Sequence, residues 1–548
     1  MREVGDLPGQ YRAVHALNRL GFGPRPGDVA RLNDQGIDRY IHEQLHPESI
    51  PIPEGLVGQV ASYRTLHMTP MALFREFQLP VMQARRENRG ADPATLKTAV
   101  KDERVRARIV MREAVEARLL RAIQGPRQLQ EVMTAFWFNH FNVYAAKGLD
   151  NIWTGSFEET AIRPHTLGRF RALLGATARH PAMLFYLDNW QNSAPHGAGS
   201  RGKFEGLNEN YARELMELHT MGVNGGYTQQ DVIALAHILT GWGLPKARAE
   251  QSGPGARPPG QVRFAPFQRF PRPRWLNPEG RVAADPSGFY FDASRHDFGP
   301  KIFLGRHFAG SGIQEGEDAL DMLARHPATA HHLSYQLAQY FVADDPPKPL
   351  VERMALRFLE TDGEIREVLA AIFASPEFWD RRYYAVKFKS PYEYIVSSVR
   401  AANVAVRNYR PLYGTMQLLG MPLYGCQTPN GYSNTRDAWL NPDAMMTRLS
   451  FATALGSGNL PLDRPPFEED ESARGAPVRP VVSRNGGADR VKINYQPEKP
   501  SRMAAPDATV LVQGLGGPFS ASTRAAIEAA PAPLHAALVL GSPEFMMR

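Results

Sequence analysis

Apolar residues recur along this chain at helical spacing, and the two-residue alternation of strands is almost missing. That restricts the fold to one built mainly of packed helices. "QLQEVMTAFWFNHFNVYAA" reads as an aromatic helix that must be largely buried. "TLGRFRALLGATARHPAMLFYLDNWQN" reads as another, stopped and restarted around His180-Pro181. Residues 70–125 read as a long, charged helical stretch broken near Gly90-Ala91-Asp92-Pro93, and helical patterning returns over 313–410. "GFYFDA" and "GRVAAD" are the strand-like pieces, and they are expected to pair as a hairpin. The expected class is therefore mainly α: a multi-helix globular domain with a Pro/Gly/Arg-rich insertion carrying at most short β pieces.

Composition shifts divide the chain further. Residues 1–125 read as an N-terminal helical region and 126–244 as a central helical core with the candidate site. Residues 245–290, rich in Pro, Gly and Arg, read as an inserted loop or lid. Residues 291–455 read as a C-terminal helical core, 456–505 as a low-complexity connection and 506–548 as a terminal helical segment. A length of 548 residues predicts two or three lobes, or one large helical domain with insertions. Ser-Pro-Glu-Phe occurs at 375–378 and again at 542–545, which reads as reuse of a capping unit with Ser at the cap and Pro in the first turn.

Several function classes are disfavoured. The 63 Lys and Arg against 56 Asp and Glu are a mild excess without a compact basic cluster, which argues against a nucleic-acid partner. Cys426 stands alone, so neither an intramolecular disulfide nor a cysteine zinc site can form. The longest apolar runs, such as "VIALAHIL", are too short to span a bilayer. The N-terminus carries no apolar signal segment, which predicts the cytoplasm, or the periplasm if a signal was removed. Walker, dinucleotide-binding and nucleophile-elbow motifs are missing, and no cofactor is required by the sequence.

The stretch "NENYARELMELHTMGVNGGYTQQDV" is the densest in polar side chains. On a helix, Asn210, Arg213, Glu214 and Glu217 fall on one stripe, with Glu209 at its edge. Tyr211, Ala212, Leu215 and Leu218 fall opposite, and His219 points away from the acids. Glu209–Arg213 and Arg213–Glu217 have the spacing of surface ion pairs, the plain structural alternative to a site. Thr228 is expected to cap the next helix, with Asp231 in its first turn. Asn139, Asn142, Asn189, Asn192, Asn208 and Asn210 add amides, several inside aromatic helices. Buried amides need partners, so they form either a structural network or a polar pocket.

Taken in order, "HALNRLGFGPRPGDV", "FWFNHFNV", "HPAMLFYLDN", the 208–232 stretch with "LTGW", "RHDFGPKIFLG", "HPATAHHLSYQLAQYFVADDPP" and "KSPYEYIVSSVRAA" resemble the DUF1800 family, a bacterial domain of unknown function. The resemblance covers nearly the whole chain. It implies a mostly helical bacterial protein, often carrying an export signal and often encoded beside a sulfatase-like exported protein. This chain departs from it in lacking a visible signal segment, in the 245–290 insertion and in the stretch after 456.

The leading expectation is a helical, carboxylate-based enzyme of hydrolase type acting on a glycan or similar polyhydroxylated polymer. Glu214 and Glu217 would be its acid and base or nucleophile, with Arg213 setting their charge balance. Asn210, Asn189, Asp188, His140 and Asn139 would bind substrate. One rival is a non-enzymatic partner or assembly factor for the sulfatase-like neighbour. Another is a metal-dependent enzyme using His296, Asp297 and His326. The loop with Tyr424, Tyr432, Arg436 and Trp439 reads either as a stacking platform or as a plug over a helical core.

Overall fold

The Gly90–Pro93 break expected from sequence separates helix Leu79–Glu87 from the 32-residue helix Pro93–Gln124. The longer helix starts there because Pro93 needs no N–H in the first turn and the Asp92 carboxylate accepts from the N–H groups of Ala94 and Thr95. Its second half buries Ala114, Ala117, Leu119, Leu120 and Ile123. A computed structural model describes residues 5–197, 199, 206–244, 287–464, 503–515 and 519–548. Most of the Pro/Gly-rich stretches at 245–290 and 456–505 lie outside the described residues.

The chain is mainly helical. The aromatic helix Gln128–His140 is buried along nearly its whole length, and Trp137 Nε1 donates to Thr166 O at 3.0 Å. Two helices begin with a His-Pro pair. His180 and His326 each accept through Nδ1 from the N–H two residues on, at 3.2 and 3.1 Å, and Pro181 and Pro327 open the helices. Thr228 and Asp231 form the expected capping box of helix Gln229–Ile238. Among the described residues the buried apolar side chains, from Ala13 near one end to Met546 near the other, form one contiguous cluster.

Sheet structure is confined to two antiparallel pairs among the described residues. The strand in "GFYFDA" forms at Tyr290–Phe291, but its partner is Trp242–Gly243; "GRVAAD" lies outside the described residues. The two ends of the insertion therefore meet. Gly241, at φ +79°, lets them approach, since a Cβ there would lie 2.6 Å from Asp292 O. The second pair, Lys301–Phe303 with Arg306–Phe308, is a hairpin turned by Leu304 and Gly305, both at positive φ. No described helix is long and apolar enough to cross a membrane.

The two Ser-Pro-Glu-Phe turns have the same wiring. Ser375 Oγ accepts from the Phe378 N–H and donates to Ile372 O; Ser542 Oγ accepts from the Phe545 N–H and donates to Val539 O.

Candidate functional site

Helix Asn210–Glu217 turns Tyr211, Ala212, Leu215 and Met216 into the core and leaves Arg213, Glu214 and Glu217 half-buried. One of the two anticipated ion pairs forms: Arg213 Nη2 lies 2.9 Å from Glu209 Oε2. The other does not, because Arg213 turns instead to Gln229 Oε1 at 3.0 Å, on the next helix. Among the described residues Glu217 is thus left without a cation. Burial, then the neighbouring Glu217, push the Glu214 carboxyl up, against the opposing pull of Arg213.

Asp188 stands beside this helix. Asn210, itself exposed, donates from Nδ2 to Leu187 O at 3.2 Å, and Asn208 Nδ2 to Asp188 O at 3.4 Å. Asp188 holds a left-handed backbone at φ +60°, and its carboxylate pairs with Lys147 Nζ at 2.9 Å. Lys147 also donates to Tyr186 O. Next to them Asp150 is 0% exposed, and neither carboxyl oxygen has a hydrogen-bond partner. Burial holds its carboxyl well above the ordinary range, with Lys147 opposing and Asp188 reinforcing. The Tyr186 hydroxyl donates to Gln427 O at 2.8 Å and is raised by burial and by Cys426, with both Asp150 and Glu214 within electrostatic reach. Glu214, Glu217, Asp188 and Asp150 therefore share one neighbourhood with Lys147 and Tyr186.

The sequence-predicted amides mostly stitch backbone. Asn189 Nδ2 donates to Leu239 O and Trp242 O, and Asn192 Nδ2 to Ala236 O. Asn142 Nδ2 donates to Cys426 O and Thr428 O. Asn139 clamps Tyr432 from both sides, donating to its carbonyl at 2.8 Å and accepting from its N–H at 2.7 Å. Gly431 makes that clamp possible, since a Cβ there would lie 2.2 Å from Asn139 O. His140 is tied to Gln336 Oε1 at 2.8 Å and His219 O at 3.1 Å, and burial lowers it to about 4. These contacts give His140, Asn139 and Asn189 framework partners, whereas Asn210 and Asp188 stay beside the acids.

Asn139 and Asn142 do line a cavity, on the other side of the 421–439 loop. Its wall includes Phe136, Phe138, Tyr392, Tyr424, Tyr432 and Trp439, so the loop aromatics stand beside the aromatic helix. Glu393 is held below its ordinary range, against burial, by Arg548 at 2.9 Å and the Ser390 N–H at 2.8 Å.

The "RHDFGPK" turn is wired as a staple. His296 Nδ1 meets Thr240 O at 2.8 Å, and Asp297 takes the Gly299 N–H and pairs with His237 Nδ1 at 2.6 Å. Lys301 pairs with the fully buried Glu315 at 2.8 Å. His326 caps a separate helix. Among the described residues no group of three or more His, Cys, Asp or Glu side chains is placed to hold a metal ion.

Sequence reasoning missed Lys147, Asp150 and Tyr186. The run "KGLDN" just after the aromatic helix, two charges around a glycine, was the available signal. It also missed Arg118, Glu393 and Arg548 of the cavity, which come from distant parts of the chain.

The family model described as protein of unknown function (DUF1800) matches residues 15–547, nearly the whole chain. No curated protein and no solved structure matches it.

Proposed function

Starting from the fact that this chain belongs to the DUF1800 family, we propose that it is a carboxylate-dependent hydrolase acting on a glycan or similar polyhydroxylated polymer. The observation that carries this reading is a carboxyl held toward its neutral form on a half-open face. Burial, then Glu217 one turn away, push Glu214 that way. A carboxyl that keeps its proton next to a second carboxyl is a donor that acid–base hydrolysis uses. Glu214 donates its proton to the leaving oxygen of a glycosidic bond. Glu217, one turn away, takes the proton of the attacking water. Asn210 and Asp188 position the sugar hydroxyls. Arg213, held by Glu209 and Gln229, limits how far the Glu214 carboxyl rises.

The test is release of new reducing ends from a broad glycan panel by the full chain, with Glu214→Gln and Glu217→Gln made separately and checked for folding by circular dichroism. A loss of roughly 10²–10⁴-fold in each is expected for removal of a general acid or base. No release from any glycan, or undiminished release by both variants, overturns the proposal.

A further inference from the structure

Residues 42–46 read His-Glu-Gln-Leu-His, which sets two imidazoles four residues apart, on one face of a helix. They close helix Ile37–Leu45, with His42 in its last turn and His46 at its C-cap. Pro47 follows and keeps His46 out of the helical region, at φ −119° and ψ 65°. The chain leaves the helix there, yet the His46 ring folds back over the last turn. Its Nδ1 meets His42 O at 2.9 Å, and the two rings lie with centroids 4.3 Å apart and planes inclined by 32°. His42 is exposed and His46 half-buried.

The hydrogen bond decides which nitrogen His46 offers. A carbonyl only accepts, so in the neutral ring Nδ1 carries the proton and Nε2 keeps its lone pair. Metal-bound histidines are held in the same way, donating the other ring N–H to a carbonyl or carboxylate. The end of the helix adds partial negative charge, which favours a cation beside it. His-Glu-x-x-His is also the spacing of zinc peptidase helices, where the glutamate is the base and a third ligand comes from elsewhere. Here both Glu43 oxygens are taken, by Arg39 at 2.9 Å and Gln35 at 2.6 Å. Glu48, two residues past His46, pairs with Arg366 at 3.4 Å. No third His, Cys, Asp or Glu stands with the pair among the described residues. The arrangement is therefore a two-imidazole clip open to water, and not a peptidase centre.

We propose that His42 and His46 together bind one first-row divalent ion of the imidazole-preferring kind, Cu²⁺, Ni²⁺ or Zn²⁺, through His46 Nε2 and a ring nitrogen of His42. Nitrogens that share an ion each lie about 2.0–2.1 Å from zinc, which requires neighbouring rings such as these. Imidazole suits these three ions, whereas Mg²⁺ and Ca²⁺ take oxygen ligands. Water fills the remaining positions. None of the acids assigned to hydrolysis takes part, so this site stands or falls separately from that reading.

Isothermal titration of the full chain, free of any affinity tag and in a buffer that does not bind metal, with the chlorides of Cu²⁺, Ni²⁺, Zn²⁺ and Mg²⁺ tests this. The tightest class of sites is expected to take one ion per chain, with Cu²⁺ bound more tightly than Ni²⁺ or Zn²⁺ and Mg²⁺ not bound. His42→Ala and His46→Ala, made separately, are each expected to weaken that binding tenfold or more. His42→Ala reports even if His46→Ala disturbs the turn before Pro47, because an exposed side chain is removed without touching the core. Three outcomes overturn the proposal: no saturable binding of Cu²⁺, Ni²⁺ or Zn²⁺ below about 100 μM, Mg²⁺ bound as tightly as Zn²⁺, or unchanged affinity in His42→Ala.

Discussion

The acidic face around Glu214 and the ring-walled cavity lie on two sides of one loop, and they handle charge in opposite ways. At the cavity the buried charges come as pairs: Arg118 with Glu158, Arg548 with Glu393, and behind them Arg163 with Glu131. At the acidic face, charges are left short of partners. Neither carboxyl oxygen of Asp150 has a hydrogen-bond partner, and Glu214 is pushed toward its neutral form. A buried carboxyl without a partner answers by holding its proton, whereas a paired one stays ionised. One region is thus built to keep fixed charges in place, and the other to keep protons available.

The sharpest way to break this contrast is at Glu158, which is 2% exposed and serves both Arg118 and Arg163 as well as the Tyr424 hydroxyl. Glu158→Gln leaves Arg118 buried without its counter-charge, and a cost of about 3–5 kcal/mol is expected in denaturant unfolding. A variant as stable as the parent would mean that the cavity is not held by its ion pairs. Asn139→Ala comes next. It removes both hydrogen bonds that clamp Tyr432 and strands that residue's N–H, for about 1–3 kcal/mol. It should also loosen the loop, which faster amide exchange at Tyr432 would report.

Much of the fold was legible in the sequence because its signals were local. The Asp92-Pro93 start, the Thr228–Asp231 capping box and the twin Ser-Pro-Glu-Phe turns each depend on residues within four positions of one another. The partner of Tyr290–Phe291 was not legible, since Trp242–Gly243 sits beyond the whole insertion and no alternation in two residues marks it. The acid stripe was readable from helical periodicity, but what surrounds it was not. Tyr186 comes within electrostatic reach of Glu214, and Lys147 of Asp150 and Asp188, only through tertiary packing. The amides were noticed for the right reason, that burial obliges them to bond. Their partners turned out to be backbone carbonyls of loops distant in sequence, which residue type alone does not reveal.

Asp150 offers a test of the acidic face by pH. Its folded carboxyl titrates well above the ordinary range, so the folded state binds the proton more tightly than the unfolded chain does. The stability this contributes is fully present below the unfolded carboxyl pKa, near about 3.9, and is lost as pH rises through the folded value. Asp150→Asn keeps the shape and removes the titration. The variant's stability relative to the parent should therefore climb as pH is raised from about 4 towards 8, read from denaturant midpoints at several pH values. A constant difference across that range would mean that the carboxyl is not held neutral by burial.

The smallest effect expected is at Arg213, and it separates structure from chemistry. Its ion pair with Glu209 is partly exposed, so Arg213→Ala should cost only a few tenths of a kcal/mol. Its charge, however, opposes the rise of the Glu214 carboxyl. Removing it should move the alkaline limb of any hydrolytic pH profile upward, because Glu214 would then keep its proton to higher pH. Glu217→Gln should move the same limb downward, since it removes the negative neighbour that pushes Glu214 up. Because Glu217→Gln also slows turnover, the limb must be read from the pH dependence of its residual rate. Opposite movements in the two variants would place the titrating acid at Glu214. A limb that stays fixed in both would assign it elsewhere on this face, with Asp150 the next group to replace.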